Sequence, residues 1–239
     1  MSDIVLETSG LSRHFGGVAA LDNVDFSLRA RELRCLIGPN GAGKSTFFNC
    51  LTGLLRPSDG HIFMRGEETT GWPVHRIASL GVGIKTQVPS VMDGLTVREN
   101  IWLSASRHHR QTDHAERRTD EIIARLSLGP ISHNLLGRLA HGERQQVEFG
   151  LVMTGDPWLV LLDEPAAGMS PEDMVRISEI LRELNDTAAM IIVEHDMQFI
   201  RSIASRITVF HQGRVLVEDD VERVMSNPTV RDVYLGRTA

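Results

Sequence analysis

A glycine-rich segment at residues 38–46 has the residue types and the spacing needed to hold phosphate. It reads GPNGAGKST and fits the pattern Gly-x-x-x-x-Gly-Lys-Ser at every position. Glycines let backbone amides turn toward phosphate oxygens, lysine supplies a positive charge for the β and γ phosphates, and serine offers a hydroxyl to Mg²⁺. A chance glycine turn is disfavoured, because an apolar strand precedes the segment and a helix follows it. The predicted phosphate-binding residues are Gly38, Pro39, Asn40, Gly41, Ala42, Gly43, Lys44, Ser45 and Thr46.

Two adjacent carboxylates end a second apolar run, LVLLDEP at residues 159–165. We predict that Asp163 serves as a Mg²⁺ ligand, either directly or through water. Glu164, one residue further, is predicted to polarise an attacking water molecule. A solvated acidic turn is the default for such a pair on its own, but the phosphate-binding segment favours the catalytic interpretation.

Apolar periodicity predicts the elements that position these residues. Short strands are expected at residues 4–7, 20–28, 32–37, 61–64, 158–162 and 190–193, with a terminal hairpin at 207–210 and 215–217. Helices are expected at 44–54, within 113–128, after His141 and within 171–186. This order predicts a parallel α/β core with an N-terminal β portion and an inserted helical stretch.

Composition narrows the class of protein. The chain has 239 residues, 41% of them hydrophobic, and a formal net charge of −6, so it lacks the basic footprint of many nucleic-acid binders. Cys35 and Cys50 lie in apolar stretches, as buried free thiols of a reducing compartment do. The first ten residues lack the features of a secretory signal, and no run approaches the roughly 18 apolar residues of a membrane span. We therefore expect a soluble, cytoplasmic protein that reaches a membrane only through a partner.

The segment LAHGERQQVEFG at residues 139–150, taken with the two motifs above, resembles the LSGGQ-type signature of ABC ATPases. The aligned positions are Leu139, Ala140, His141, Gly142 and Glu143. The resemblance implies that this helix start faces the γ-phosphate held by another subunit, where the helix dipole favours an anion. Ala140 replaces the serine whose hydroxyl would contact that phosphate. We hypothesise that a ring N–H of His141 compensates in part.

Further positions match the same family in the same order along the chain. Phe15 matches the aromatic residue that stacks on adenine, which needs only the face of the ring. Gln87 matches the glutamine that links Mg²⁺ and the attacking water to the helical insertion, and His195 matches the switch histidine that senses the γ-phosphate. Residues 168–170 fall where the D-loop is expected, with Ser170 where many relatives carry aspartate.

The resemblance covers nearly the whole chain and implies a single ABC ATPase domain of the RecA-like P-loop class. Residues 1–87 and 154–239 would form the catalytic core with an antiparallel N-terminal β portion, and residues 88–153 the helical insertion. ATP and Mg²⁺ are the implied cofactors. The implied partners are a second ABC ATPase subunit, transmembrane permeases and, indirectly, a solute-binding protein, with no nucleic acid. The chain would lie on the inner face of the plasma membrane.

Segments such as FFNCLTGLL, EPAAGM and VEHDM resemble importer ATPases for branched-chain amino acids and for urea or short amides. The His-Gly pair of the signature and the Gly-Met pair after the acidic residues lean toward the urea type. Three alternatives remain: a non-transport ABC ATPase of DNA repair or translation, a module that binds ATP without turnover, and an unrelated P-loop kinase. The basic run at residues 107–118 is interpreted as a solvated helix face, with membrane headgroups or the transporter as the alternative contact.

Overall fold

The computed structural model describes residues 3–87, 91–108 and 111–235, with the side chains of residues 234 and 235 left aside. The start of the predicted helical insertion and two residues of the basic run, 109 and 110, lie outside the described residues.

Ten strands are found in the described part of the chain, in two sheets. Their bounds are β1 Ile4–Phe15, β2 Val18–Arg29, β3 Leu33–Ile37, β4 Asp59–Met64, β5 Glu67–Glu68, β6 Val82–Lys85, β7 Leu159–Asp163, β8 Ala189–Val193, β9 Arg206–His211 and β10 Arg214–Asp220. The larger sheet has the order β10-β9-β3-β8-β7-β6, and the smaller sheet has the order β2-β1-β4-β5.

The larger sheet is the predicted parallel core. Strands β9, β3, β8, β7 and β6 pair in parallel, and β10 joins the edge as the predicted antiparallel hairpin partner of β9. Every residue of β3, β7 and β8 is buried, as expected for apolar strands covered on both faces. Their carboxyl ends therefore meet at one edge, where α/β proteins commonly bind ligands.

The smaller sheet is antiparallel, as expected, but its first two strands are longer than predicted. Both β1 and β2 span 12 residues. Their register shifts between Thr8 and Leu11, where Gly10 adopts a φ of 59° and allows a bulge. The sequence suggested an early end to β1 because glycine and serine interrupt its apolar alternation.

The helices account for the rest of the described regular structure, apart from two short 3₁₀ turns. Their bounds are α1 Lys44–Thr52, α2 Val74–Ser79, α3 Val97–His108, α4 Thr112–Arg125, α5 His141–Met153, α6 Pro171–Asn185, α7 Met197–Ile203, α8 Val221–Ser226 and α9 Pro228–Leu235. None of the helices within the described ranges is long and apolar enough to cross a membrane.

The predicted insertion corresponds to α3, α4 and α5, and its apolar side chains join the core directly. Ile101, Ile122 and Val147 of these helices belong to the same buried cluster as Val160 and Leu162 of β7. A second cluster lies on the opposite face of the large sheet, between it and α1 and the small sheet. Cys35 and Cys50 are both buried free thiols, as predicted.

Candidate functional site

The phosphate-binding segment forms the turn between β3 and α1, as predicted. Gly38 has a φ of 148°, and a Cβ at that position would lie 2.3 Å from the Phe210 carbonyl oxygen. Gly43 has a φ of 107°, and its Cβ would lie 2.6 Å from the Ala20 carbonyl oxygen. Both positions therefore require glycine, because backbone atoms of β9 and β2 press against the turn. Helix α1 begins at Lys44 with its amides directed toward this turn.

Lys44 is folded back over the turn that precedes it. Its ammonium donates to the carbonyl oxygens of Gly38, at 2.6 Å, and Pro39, at 3.0 Å. Burial lowers the pKa of Lys44, while the nearby charges of Glu164 and Asp163 raise it. The lysine and the acidic pair thus lie within electrostatic reach of each other, as the sequence predicted.

Asp163 ends β7 and is only 7% exposed. Burial raises the pKa of its carboxyl group to about 6, and the charge of Glu164 adds to the rise, whereas Lys85 and Lys44 oppose it. Its Oδ1 atom is buried without a hydrogen-bond partner among the described residues. Such an orphaned acceptor is costly unless a ligand satisfies it.

The donor set at this edge fits Mg²⁺. The Asp163 carboxylate, the Ser45 hydroxyl and the Gln87 amide offer the hard oxygen ligands that the ion prefers. No cluster of three or more His, Cys, Asp or Glu side chains suited to a metal is found within the described ranges. A metal ion here would therefore depend on hydroxyl, amide and nucleotide oxygens as well as on Asp163.

Glu164 and His195 face each other across the ends of β7 and β8. Glu164 has a φ of 47°, and its amide donates to the Val193 carbonyl oxygen at 2.9 Å. The Nδ1 atom of His195 lies 3.8 Å from Oε1 of Glu164 and 3.4 Å from Oε2 of Glu194. The side chain of His195 is 69% exposed, which leaves its ring accessible to a ligand at this edge.

Glu194 is a residue of this site that the sequence analysis missed. Its side chain is 1% exposed, and its carboxylate accepts the amides of His195 at 2.7 Å and Ala166 at 3.2 Å. It therefore fixes the turn after β7 to the turn after β8. An acidic residue that ends an apolar strand beside a candidate histidine was the available signal, and it resembles a solvated turn in the sequence.

Two further candidates are Gln87, at the same edge of the large sheet, and Phe15, on the β1–β2 hairpin beside the phosphate-binding turn. Gln87 is exposed and follows β6, the neighbour of β7. Phe15 ends β1, is 48% exposed, and has the guanidinium of Arg13 at 4.7 Å from its ring centroid. Because Ala20 of the adjoining strand touches the turn at Gly43, this hairpin lies beside the phosphate-binding segment.

The signature residues form the start of α5, with Ala140 as the N-cap; Ala140 and His141 are exposed, whereas Gly142 is buried. The Glu143 carboxylate accepts the Ala140 amide at 3.1 Å. The Nε2 atom of His141 lies 2.8 Å from the Ala167 carbonyl oxygen, so the ring is engaged by its own chain. Our hypothesis that this ring compensates for the missing serine would require it to leave Ala167.

Gly142 is buried under the first turn of α6. A Cβ at this position would lie 2.2 Å from Oδ2 of Asp173. The Asp173 carboxylate is held there by the Ser170 hydroxyl, at 2.9 Å. The signature therefore packs against the start of α6 within the chain, with a carboxylate beside Gly142.

Comparison with known proteins agrees with this geometry. The model of the ABC transporter family matches residues 21–167. The high-affinity branched-chain amino acid transport ATP-binding proteins LivG of Salmonella typhimurium and BraF of Pseudomonas aeruginosa are each 34% identical, with 99% of both chains covered. The ADP conformation of MJ1267, an ATP-binding cassette of an ABC transporter, superposes with a TM-score of 0.87 at 25% identity, covering 98% of this chain and 99% of that one.

The predicted transport class is thereby confirmed, and the alternatives of a DNA-repair ATPase and an unrelated kinase are set aside. The predicted P-loop fold and the predicted ATPase activity are likewise confirmed. The chain belongs to the ABC transporter family, as one of its ATP-hydrolysing cassettes.

Proposed function

We propose that this chain is the ATPase subunit of an importer for branched-chain amino acids, and that hydrolysis takes place where β3, β7 and β8 end. The observation that carries the site assignment is the convergence of Lys44, Asp163, Glu164 and His195 at that edge. All four residue types are those that nucleotide hydrolysis needs, which supports the assignment.

Each side chain has a defined task in this proposal. Lys44 leaves the carbonyl oxygens of Gly38 and Pro39 and neutralises charge on the β and γ phosphates, helped by the amides at the start of α1. Glu164 accepts a hydrogen bond from the attacking water and orients it. His195 senses the γ-phosphate from the adjacent turn, and Phe15 supports the adenine ring.

Mg²⁺ would be held by Ser45, Asp163 and, through its amide oxygen, Gln87. When bound, the ion neutralises phosphate charge and helps hold the triphosphate in line with the water. The orphaned Oδ1 atom of Asp163 supports this assignment.

A second ATPase subunit would complete the site. Ala140 and His141 are exposed at the start of α5, where another chain carrying ATP can reach them. ATP binding would then close the pair of cassettes, and helices α3 to α5 would pass the motion to permeases in the plasma membrane. The chain would remain on the cytoplasmic face, and a solute-binding protein would act on the other side.

The solute follows from the named relatives and not from the site. Both LivG and BraF are named for branched-chain amino acids and align with this chain over 99% of its length. We therefore favour branched-chain amino acids over urea or short amides, the second candidate suggested by the signature.

Deleting the gene from its source organism and measuring uptake of radiolabelled leucine and urea would test the proposal. We expect leucine uptake to fall and to return with the wild-type gene but not with the Lys44→Ala variant. Loss of urea uptake with normal leucine uptake would move the assignment to the urea type. Normal uptake of both solutes would contradict the importer assignment.

A further inference from the structure

A buried ion pair joins the edge strand of the catalytic core to the signature helix. The Nζ atom of Lys85, the last residue of β6, lies 3.1 Å from Oε2 of Glu148 on α5. Their side chains are 6% and 5% exposed. Both residues lie outside the sequence motifs described above.

The pair continues outward along α5. The Nε atom of Arg144 lies 3.7 Å from Oε1 of Glu148, and its Nη1 atom lies 2.7 Å from Oδ1 of Asp93. We name these four residues, Lys85, Glu148, Arg144 and Asp93, the α5 ion-pair chain. It runs from the buried end of β6 to the surface of the helical insertion.

A contribution to stability does not by itself explain the buried pair of Lys85 and Glu148. Neither carboxylate oxygen of Glu148 has a hydrogen bond of good geometry among the described residues, although both lie close to cationic groups. Removing two charges from water is costly, and a well-packed apolar pair is often as stable or more stable. A role in positioning the two elements that the pair joins is therefore the better explanation.

The location of the α5 ion-pair chain indicates what is positioned. In the β6–β7 register Lys85 lies opposite Leu162, the residue before Asp163. At the other end, Arg144 directly follows Glu143 of the signature. Along the sequence, Gln87 falls between Lys85 and Asp93, so both flanks of this residue are attached to α5.

We propose that Lys85 and Glu148 are a positioning pair that couples the nucleotide-binding edge of the core to the signature helix, with Arg144 and Asp93 extending the connection. Neither residue touches the reacting atoms. They keep the end of β6 and the start of α5 in one relative arrangement. Nucleotide binding beside Asp163 therefore changes the position and the mobility of the signature helix. This inference rests on the proposed roles of Gln87 and the signature residues.

The double variant Lys85→Met, Glu148→Leu tests the buried pair, because it replaces both charges by apolar groups of similar size. We expect thermal stability and the Kd for ATP close to those of the wild type, with kcat lower by about tenfold or more, as a small misplacement can cause. We also expect that, in a Glu164→Gln background, ATP slows amide exchange in α5 with the native pair and not with the apolar pair.

A wild-type kcat in a stably folded double variant would reduce the pair to a structural role and overturn the proposal. Absence of an ATP-induced change in α5 with the native pair would do the same. Loss of kcat together with unchanged α5 exchange would also count against coupling.

Asp93→Asn provides a second test that does not depend on the buried pair folding without charge. The Asp93 side chain is 62% exposed, so its loss should not change thermal stability measurably. Asp120→Asn is a matched control, because Asp120 is 64% exposed and pairs at 2.6 Å with Arg98 in the same insertion. We expect kcat to fall several-fold for Asp93→Asn and to stay unchanged for Asp120→Asn. Equal kcat in both variants would contradict the outward extension through Arg144.

These outcomes are separable from failure of the proposed function. If Glu164→Gln hydrolyses ATP at the wild-type rate, the site assignment fails whatever the α5 ion-pair chain does. If Glu164→Gln is inactive while the double variant and Asp93→Asn are fully active, only the positioning proposal fails.

Discussion

Oε1 of Glu164 lies 3.8 Å from Nδ1 of His195, across the adjacent ends of β7 and β8. The separation is longer than a hydrogen bond, so the two side chains are neighbours that are not hydrogen-bonded to each other. Catalytic hydrogen bonds of this kind commonly tighten only when substrate binds.

Replacing Glu164 by glutamine should separate nucleotide binding from hydrolysis. The amide is similar in shape but is a much weaker base, so kcat should fall by about 10²–10⁴-fold while the Kd for ATP stays near its original value. Phosphate release and equilibrium ATP binding measure the two quantities. Glu179→Gln, an exposed carboxylate on α6, should leave both unchanged. Turnover near the wild-type rate in Glu164→Gln would remove this residue from its proposed role.

The parts of the site that could be predicted from sequence are those in which local chemistry and strand order coincide. Lys44 follows a glycine pattern with a clear backbone requirement, and Asp163 ends an unbroken apolar strand whose burial the structure confirms. Because parallel strands end at one edge, both residues were expected to meet. In the structure the charge of Asp163 raises the pKa of Lys44 against the larger effect of burial, as neighbouring opposite charges do.

The parts that were missed depend on tertiary contacts. Strand β6 has only four residues, includes Gly83, and is partly exposed, so its sequence lacks the apolar run of the other core strands. Helix α3 mixes charged, aromatic and small residues without a strong apolar stripe. The roles of Lys85 and Glu194 appear only when the sheet brings their partners from distant parts of the chain.

The raised pKa of Asp163 predicts how the stability of the protein changes with pH in the presence of EDTA. Its pKa is about 6 in the folded chain, against the ordinary value of 3.8, chiefly because of burial. Between these values Asp163 is ionised in the unfolded chain before it is ionised in the folded chain, so its contribution to the free energy of unfolding should fall as pH rises toward 6 and then level off. Asp163→Asn should remove this contribution, so the free energy of unfolding at pH 7 should be higher than that of the wild type by about 1–3 kcal/mol.

Chemical denaturation at several pH values measures this effect. Asp113→Asn, which changes an exposed carboxylate on α4, should keep the wild-type slope. A stability profile of Asp163→Asn that parallels the wild type would show that Asp163 is not the group responsible. In the wild-type protein, excess Mg²⁺ with ATP should remove the fall in the free energy of unfolding toward pH 6, since these ligands favour the ionised carboxylate.

Phe15→Ala should weaken nucleotide binding without altering preference for the base. Loss of a stacking platform costs about 1–3 kcal/mol, and stacking tolerates any base because it uses the ring face. The Kd values for ATP and GTP should therefore rise by similar factors, as measured with fluorescent analogues. Phe63→Ala is a suitable control, because Phe63 lies on the same small sheet and stacks on His61. Unchanged affinity in Phe15→Ala would show that its contact with Arg13 is structural.

Asp173→Asn should strengthen ATP-dependent association of the cassette with a second cassette. The Asp173 carboxylate covers Gly142 at the start of α5, where the proposed arrangement places the γ-phosphate of the facing subunit. Two anions at one helix N-terminus repel each other, so removing one should favour closure. Glu172→Gln is the matched control, because it removes a carboxylate from the same first turn of α6. Sedimentation in the Glu164→Gln background, with and without ATP, measures the association. Equal association in the two variants would show that the Asp173 carboxylate does not oppose binding of the γ-phosphate at the signature.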